Sequence, residues 1–313
     1  MGRLIAFGVI VAVLSAFIGY RIIELQRRAL FNREIGQNHL PNCELLKGLE
    51  YGSEDITILP NGLAIISTGL VYPGMPSFSD GPGKIFMLDL EAEKLKPVEL
   101  RIGRGFDIGS FNPHGISIYT DEKDQSVYLF VVNHPEGKSQ VEIFQFVQEE
   151  NSIMHLKTIR HELLHSPKEV KVVADIFYSA NGINISPDNK YVYVSDVLDH
   201  AIKVMEIQEN KALHLVKSVP VGSLCDNIEV DGDTGDLLMG CHPNGAKFIM
   251  YNPEDPPGSE VIRIQNIHSE KPIVSQVFAD NGSLVSASSV ATPYNGKLLI
   301  GSVFHKALFC DLK

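Results

Sequence analysis

From Pro41 onward, short apolar runs rich in β-branched residues alternate with turn residues, and one unit of this pattern recurs. Each unit has a leading polar residue, a strand, a turn containing Pro, Asp, Asn or Gly, and a second strand. A helical repeat would need apolar residues at a period of 3.6, which these units lack. The recurring segments are SEDITILPNGLAIIST, NPHGISIYTDEKDQSVYLFVVN, ANGINISPDNKYVYVSD, CDNIEVDGDTGDLLMGCHPNG and SSVATPYNGKLLIGSVF.

The spacing of these units predicts the architecture. Successive leading polar residues are 60, 67, 45 and 63 residues apart, and they are Glu54, His114, Asn181, Asp226 and Ser289. Propeller blades span about 40–50 residues, and longer blades carry insertions. Closing four-stranded sheets into a ring protects the edges of short strands, so the spacing predicts an all-β chain folded as a β-propeller around a channel.

The N-terminal segment has a different pattern. Leu4 to Tyr20 is an apolar run of 17 residues without a charge. This length is at the lower limit for crossing a bilayer, and no clean small-residue cleavage site follows, so both an uncleaved signal-anchor and a removed signal peptide are open. A buried globular helix is the alternative. The stretch from Ile22 to about Arg33 predicts a basic amphipathic helix, either on a membrane surface or as a stem.

Charge and basic residues constrain partners and compartment. The chain has 27 Lys and Arg against 38 Asp and Glu, a net charge of −11. This field repels phosphate backbones, so we expect no nucleic-acid partner and favour cations. Arg21, Arg27 and Arg28 follow the apolar run, which by the positive-inside rule would place the body in the cytosol.

The cysteines argue for the opposite side of the membrane. Cys43 and Cys310 stand at the two ends of the globular body, and a bond between them would require an oxidising compartment. We therefore favour a membrane-associated protein that faces the lumen or the exterior. Asn281 opens the sequon Asn-Gly-Ser and is a glycosylation candidate there, whereas Asn184 lies within a strand pattern and is a poorer one.

The leading polar residues also predict a site. Rotational pseudo-symmetry brings them to the same end of the channel; the candidates are Glu54, Asp55, His114, Asn181, Asp226 and Asn227. Carboxylate and amide oxygens gathered without Cys, and with few His, are hard ligands suited to calcium. A single Asn or Asp before a strand is usually a turn or cap residue, so the recurrence is what points to a site.

Several segments together resemble the paraoxonase/arylesterase family: GSEDITILPNGLA, FNPHGIS, FVVNHP, SANGINISPD, DNIEVD, GCHPNG, NPEDPPGSEV and LLIGSVFHKALFC. The resemblance extends from the MGRL start to the final cysteine. It implies a six-bladed propeller that hydrolyses lactones and esters with calcium, acting on small lipophilic substrates. The NGINISPDNKYVYVSD segment alone would also allow a gluconolactonase-like propeller, but FNPHGIS and HKALFC would not.

The resemblance also implies roles for individual residues. His114 and His134 match a histidine pair, with His114 deprotonating an attacking water and His134 orienting or tuning it. Cys241 would be a free thiol. A catalytic calcium would be held by Glu54, Asn181, Asp226 and Asn227, a structural calcium by Asp55 and the backbone carbonyl of Ile116, and a disulfide would join Cys43 and Cys310.

One departure from the family bears on activity. At about His165 to Pro167 this chain lacks a segment of roughly one blade, about 40 residues, that family members carry. That segment normally supplies an adjacent Asn-Asp pair of calcium ligands, so we expect weaker calcium binding and a shortened or incomplete blade. A catalytically impaired, membrane-associated propeller that binds lipids or proteins is therefore the alternative to a hydrolase. The expected organisation is a signal-anchor at 1–21, a stem at 22–40 and the propeller at 41–313.

Overall fold

The N-terminal apolar run is one continuous helix in the computed structural model, which describes residues 2–49, 51–72, 76–160, 172–304 and 306–312. Helix α1 comprises Gly2–Arg28 and passes the expected boundary at residue 21 without a break. The stretch Ile5–Arg28 is long and apolar enough to cross a membrane by length and composition, and none of it is buried against the protein. The division into an anchor, a stem and a propeller stays a prediction.

The helix ends at Arg28, so the prediction that it continues to about Arg33 was wrong. Residues of the propeller contact the backbone at the end of the helix. The Nε2 atom of His200 lies 2.5 Å from the carbonyl oxygen of Arg28, and the amide of Gly245 donates to the carbonyl of Ala29 at 2.9 Å. Because tertiary contacts satisfy these last carbonyls, the chain gains nothing by continuing the helix.

The body begins with the short strand β1 (Glu44–Leu45) and continues as sheets whose strands follow one another in sequence. Blade 1 comprises β2 (Ile56–Ile58), β3 (Leu63–Thr68), β4 (Lys84–Asp89) and β5 (Val98–Glu99). Blade 2 comprises β6 (Arg101–Ile102), β7 (Pro113–Thr120), β8 (Val127–Asn133), β9 (Gln140–Val147) and β10 (Ser152–Arg160), with β6 parallel to β10 at its outer edge.

The remaining sheets repeat the same antiparallel order. Blade 3 comprises β11 (Ala180–Ile185), β12 (Tyr191–Asp196), β13 (Ala201–Ile207) and β14 (Leu213–Pro220). Blade 4 comprises β15 (Leu224–Val230), β16 (Leu237–His242), β17 (Ser259–Gln265) and β18 (Ile273–Asp280), with the short helix α2 (Gly245–Ile249) after β16. Blade 5 comprises β19 (Ser288–Tyr294), β20 (Lys297–Ser302) and β21 (Leu308–Asp311), and β1 completes it. Single 3₁₀ turns lie at Ile108–Ser110, Pro135–Gly137, Gln148–Glu150 and Val197–Asp199.

The two ends of the body meet in blade 5. Strand β1 pairs antiparallel with β21 through only two residue pairs, Glu44 with Phe309 and Leu45 with Leu308. The Cys43–Cys310 disulfide lies directly beside this short ladder. The predicted bond is therefore confirmed, and it closes the ring across a sequence separation of 267 residues.

Removing this bond should cost much of the stability of the ring. We expect the double variant C43A/C310A to lose about 2–5 kcal/mol of unfolding free energy, because the bond limits the unfolded chain over a very long loop. Guanidinium unfolding of both proteins, followed by far-UV circular dichroism, measures this loss. A difference below about 1 kcal/mol would contradict the closing role of the disulfide.

Four of the interfaces between neighbouring blades are filled by buried apolar side chains. Each cluster has members from both blades, for example Ile65 and Leu129, Ile202 and Met239, Leu238 and Ile300, and Leu299 and Ile66. No such cluster of described residues joins blades 2 and 3. A channel cavity of about 580 Å³ borders this open interface; its lining comes from blades 1 to 4 and includes Ile118 of blade 2 and Ile183 of blade 3, which is 66% exposed.

The predicted propeller is thus confirmed, with five blades in the described residues where the resembling family has six. The open interface lies between the blades that flank the junction at which the sequence predicted a missing segment. The junction itself, at 165–167, lies outside the described residues.

One prediction about the cysteines was wrong. Cys241 is not a free thiol but forms a disulfide with Cys225. The two residues stand opposite each other on β15 and β16 of blade 4. The pairing follows from the register of two strands, which sequence spacing alone does not reveal.

Candidate functional site

The first strand of four blades carries a break in its register near the start of the strand. The breaks lie between Pro113 and Ile116, Ala180 and Ile183, Cys225 and Ile228, and Ser288 and Val290. Such bulges redirect side chains out of the ladder. The residues within them are His114, Gly115, Asn181, Gly182, Asp226, Asn227 and Ser289. Recurring bulges therefore explain why the predicted polar residues turn towards one end of the channel.

Glu54 lies at the centre of this polar cluster and is 1% exposed. Its Oε1 atom is 3.0 Å from Nε2 of His114 and accepts a hydrogen bond of 3.1 Å from Nδ2 of Asn227. Its backbone carbonyl accepts from the Ser289 hydroxyl at 2.6 Å. Residues of three other blades therefore position Glu54, two through its carboxylate and one through its backbone carbonyl.

Two buried carboxylates each keep an oxygen without a hydrogen-bond partner among the described residues, Oε2 of Glu54 and Oδ1 of Asp226. The other oxygen of Asp226 is 3.0 Å from Nε2 of His242. Buried polar atoms are normally satisfied, so unpartnered carboxylate oxygens indicate a place where a ligand supplies the missing contact. His242, which stacks on Phe248 with ring centroids 4.0 Å apart, is not among the candidate residues given by the sequence.

The predicted histidine pair is formed. Nδ1 of His114 lies 2.9 Å from Nε2 of His134, and Nδ1 of His134 lies 3.1 Å from the Ser139 hydroxyl. Ser139 was missed by the sequence analysis, because its position in the loop after His134 carries no pattern. The result is a continuous chain of contacts from Glu54 through both imidazoles to the surface.

The surroundings shift the pKa values of the two imidazoles in opposite directions. Burial lowers the pKa of His114, but the charge and hydrogen bond of Glu54, helped by Asp226 and Asp55, outweigh it and raise the pKa to about 9. Burial and the neighbouring positive charge of His114 lower the pKa of His134 to about 4. At neutral pH, His114 is therefore charged and donates to both Glu54 and His134, and neutral His134 donates to Ser139.

The second predicted calcium pair is also brought together. Asp55 is buried and accepts hydrogen bonds from the backbone amides of Ile56 at 2.9 Å and Ile116 at 2.7 Å. Burial first, and then the charge of Glu54, raise the pKa of Asp55 to about 7. The contact with Ile116 runs through its amide, and a ligand role for its carbonyl stays a prediction.

Glu229 is a channel carboxylate that the sequence analysis missed. It lines the cavity that also contains Asp55 and Ile116. Burial and the charge of Asp55 hold the pKa of Glu229 well above its usual range. Its position two residues after Asn227 on the same strand could have predicted this placement, since alternate side chains share a face.

Above Glu54, a cavity of about 370 Å³ contains the polar cluster together with an apolar wall. Its polar members are Glu54, His114, His134, Ser179, Asn181, Asp226 and His242, and its apolar members include Leu70, Tyr72, Phe248, Ile249 and Val303. Asn181 reaches this cavity but is exposed. Within the described part of the chain, no three His, Cys, Asp or Glu side chains are already arranged to hold a metal ion.

The glycosylation candidate lies away from this cavity. Asn281 is exposed in the turn that follows β18, and its side-chain oxygen accepts from Nε2 of Gln37 at 3.1 Å. The accessible position agrees with the sequon, and its modification stays a prediction. Asn184 instead donates to the carbonyl of Ile228 from within β11, which accords with its lower rank.

The fold and the cavity define a β-propeller with a polar, partly buried site at one end of its channel, which is a common arrangement for an enzyme. Comparison with known proteins identifies the family. The arylesterase family model matches residues 34–166 and 164–312, and the chain belongs to this family. The two matched stretches meet and overlap at residues 164–166, at the junction predicted from the sequence.

Relatives align over their whole length. The chain is 51% identical to serum paraoxonase/arylesterase 2 of Gallus gallus, 50% identical to the Homo sapiens protein of that name and 48% identical to serum paraoxonase/lactonase 3 of Homo sapiens. Each alignment covers all of both chains and spans 356 positions. This chain has 313 residues, so 43 of the 356 aligned positions are without a counterpart here, in agreement with the absence of about one blade.

Proposed function

We propose that this protein is a hydrolase of lactones and aryl esters whose activity depends on calcium. The observation that carries the proposal is the cavity in which two buried carboxylates, each with an unpartnered oxygen, stand beside a histidine pair. The names of the paraoxonase, arylesterase and lactonase relatives support the choice of ester and lactone substrates.

The residues in and beside the cavity fit a calcium ion. Calcium prefers six to eight oxygen ligands and accepts carboxylate and amide oxygens. Glu54 and Asp226 would supply the charged ligands, and Asn181 and Asn227 the amide oxygens. Asp55 and the carbonyl of Ile116 would contribute to a second, structural ion. Bound calcium would polarise the substrate carbonyl and stabilise the negative charge that develops on its oxygen.

The histidine pair accepts and transfers the proton of the attacking water. His114 holds a proton between itself and Glu54 and a second towards His134, because both of its ring nitrogens face acceptors. To take a proton from an attacking water, His114 must first pass its Nδ1 proton to His134 and then turn one ring nitrogen away from its present partner towards the water. Neutral His134 is the acceptor in contact with it, and Ser139 continues the path outward. Glu54 orients His114 in the resting site by the contact at Nε2.

The walls of the cavity select the substrate. Tyr72, Phe248 and Val303 lie on the apolar side, opposite the carboxylates. An apolar acyl or aryl group gains by leaving water for this wall, whereas a charged substrate would be desolvated without a partner. We therefore assign small lipophilic lactones and esters to the site.

We also place the protein at a membrane or lipoprotein surface in an oxidising compartment. The exposed apolar helix α1 supports the surface, and two disulfides support the compartment. The propeller contacts Arg28 and Ala29 at the end of this helix, so the cavity, which includes Ala29, opens close to the point where the helix leaves the body.

Hydrolysis of phenyl acetate and of a lactone with an apolar side chain tests the proposal. We expect the purified full-length protein to turn over both in millimolar calcium and to lose at least about tenfold of the rate after chelation. Calcium added back should restore the rate, and magnesium should not, since it demands a tighter octahedral site.

Two results would contradict the proposal. Hydrolysis unaffected by chelation would remove calcium from the reaction. If protein with its normal circular dichroism spectrum shows no turnover, the alternative function, a membrane-associated binding module, would replace the hydrolase.

A further inference from the structure

The disulfide between Cys225 and Cys241 lies directly behind the polar cavity. Cys225 precedes Asp226 in β15, and Cys241 precedes His242 in β16. Asp226 and His242 are hydrogen-bonded to each other and line the cavity. The bond therefore joins the two strands at the residues immediately before this pair.

The disulfide also bounds the bulge in β15. Leu224 and Cys225 pair in register with His242 and Cys241, and pairing resumes at Ile228 with Met239. The interrupted positions are Asp226, which lines the cavity, and Asn227, which donates to the Glu54 carboxylate there. One end of the bulge is thus held by a covalent bond and the other by the regular ladder.

Neighbouring blades hold the carbonyls of both cysteines. The Ser195 hydroxyl of blade 3 donates to the carbonyl of Cys225 at 2.5 Å, and the Ser288 hydroxyl of blade 5 donates to that of Cys241 at 3.1 Å. Both cysteines are at most 1% exposed. The disulfide is consequently fixed in a buried position where three blades meet.

Blade 3 offers little support on its other side. It shares no buried apolar cluster of described residues with blade 2, and Ile183 on its first strand is 66% exposed. Gly182 on that strand packs so closely on β15 that a Cβ atom would lie 2.3 Å from the carbonyl oxygen of Asp226. Movement of blade 3 would therefore be transmitted directly to the bulge in β15.

We infer that the Cys225–Cys241 disulfide is a positioning element of the cavity, which holds the bulge so that Asp226 and Asn227 keep their direction. The link to calcium rests on the proposed function, whereas the link to the bulge does not. Two positioning residues thus act through Asp226 and Asn227 without touching a substrate.

Hydrogen–deuterium exchange on calcium-free protein tests the positioning directly. We expect the double variant C225A/C241A to exchange the backbone amides of residues 225–228 about tenfold faster or more than the parent. The matched control is C43A/C310A, which also lacks one disulfide. It should exchange faster around β1 and β21 and remain within about twofold of the parent at 225–228.

Calcium titration by calorimetry gives the second readout. We expect the affinity of C225A/C241A to fall by about 10–100-fold, the size found when groups that orient metal ligands are removed. The control variant should bind calcium within about twofold of the parent. If C225A/C241A does not fold, C225V/C241A restores part of the lost volume and takes its place.

Three results would overturn the inference: alkylation of both cysteines in the unfolded, unreduced parent, unchanged exchange at 225–228, or equal losses in the two disulfide variants. A parent protein that binds no calcium would refute the proposed function, and the exchange experiment would then decide the positioning role by itself.

Discussion

Replacing His114 by glutamine should lower kcat for phenyl acetate by about 10²–10⁴-fold, the usual contribution of a general acid–base group. Glutamine keeps a hydrogen-bonding group near Glu54 but cannot take or pass a proton. We expect KM to change little, because the apolar wall that holds the substrate is untouched. Steady-state kinetics at saturating calcium, with circular dichroism to verify the fold, measures the effect.

His155 provides the matched control. It lies in the same blade, contacts Glu142 at 2.9 Å and has the same side-chain exposure as His114, 22%. It is not part of the cavity. The variant H155Q should therefore retain the parent rate within about twofold. Retention of the parent rate by H114Q would remove His114 from the mechanism.

The second large effect is expected at Glu54. The variant E54Q keeps the size of the side chain and removes one of the two charged ligands assigned to calcium. We expect calcium affinity to fall by at least about 100-fold, because even groups that only orient a ligand contribute 10–100-fold. Hydrolysis at fixed calcium should fall by about 10²–10³-fold, as when one group that stabilises the oxyanion is lost.

Glu260 separates this effect from the loss of any buried carboxylate. Its side chain is 2% exposed, against 1% for Glu54, and it pairs with Arg33 at 2.7 Å outside the cavity. The variant E260Q should lose stability and keep the calcium affinity of the parent within about twofold. Calorimetric titration of calcium into both variants measures these affinities. Equal affinities for E54Q and the parent would exclude Glu54 as a ligand.

Individual residues show which parts of the site could be predicted from the sequence. The recurrence of a polar residue before each strand identified Glu54, His114, Asp226 and Asn227, and the structure brings these four to one end of the channel. Asn181 reaches the same cavity but stays exposed. His242 and Ser139 were not predicted. His242 contacts a partner distant in the sequence, and Ser139 lies in a loop without a pattern.

The cysteines show the same limit. The resemblance to a family paired Cys43 with Cys310 correctly and made Cys241 a free thiol incorrectly. Cys225 stands 16 residues before Cys241, and this separation is compatible with many arrangements. Only the antiparallel register of β15 and β16 places the two side chains against each other.

The sequence by itself determined the all-β propeller, the apolar N-terminal helix, the family and the position of the missing segment, because strand-length patterns, turn residues and motifs are local properties of the chain. The tertiary structure decided where α1 ends, which blades lie beside the gap, how the bulges redirect the polar residues and which cysteines pair. The physical reason is that register, burial and the raised pKa of His114 arise from contacts between blades. Such contacts join residues that are far apart in the sequence, and no local pattern encodes them.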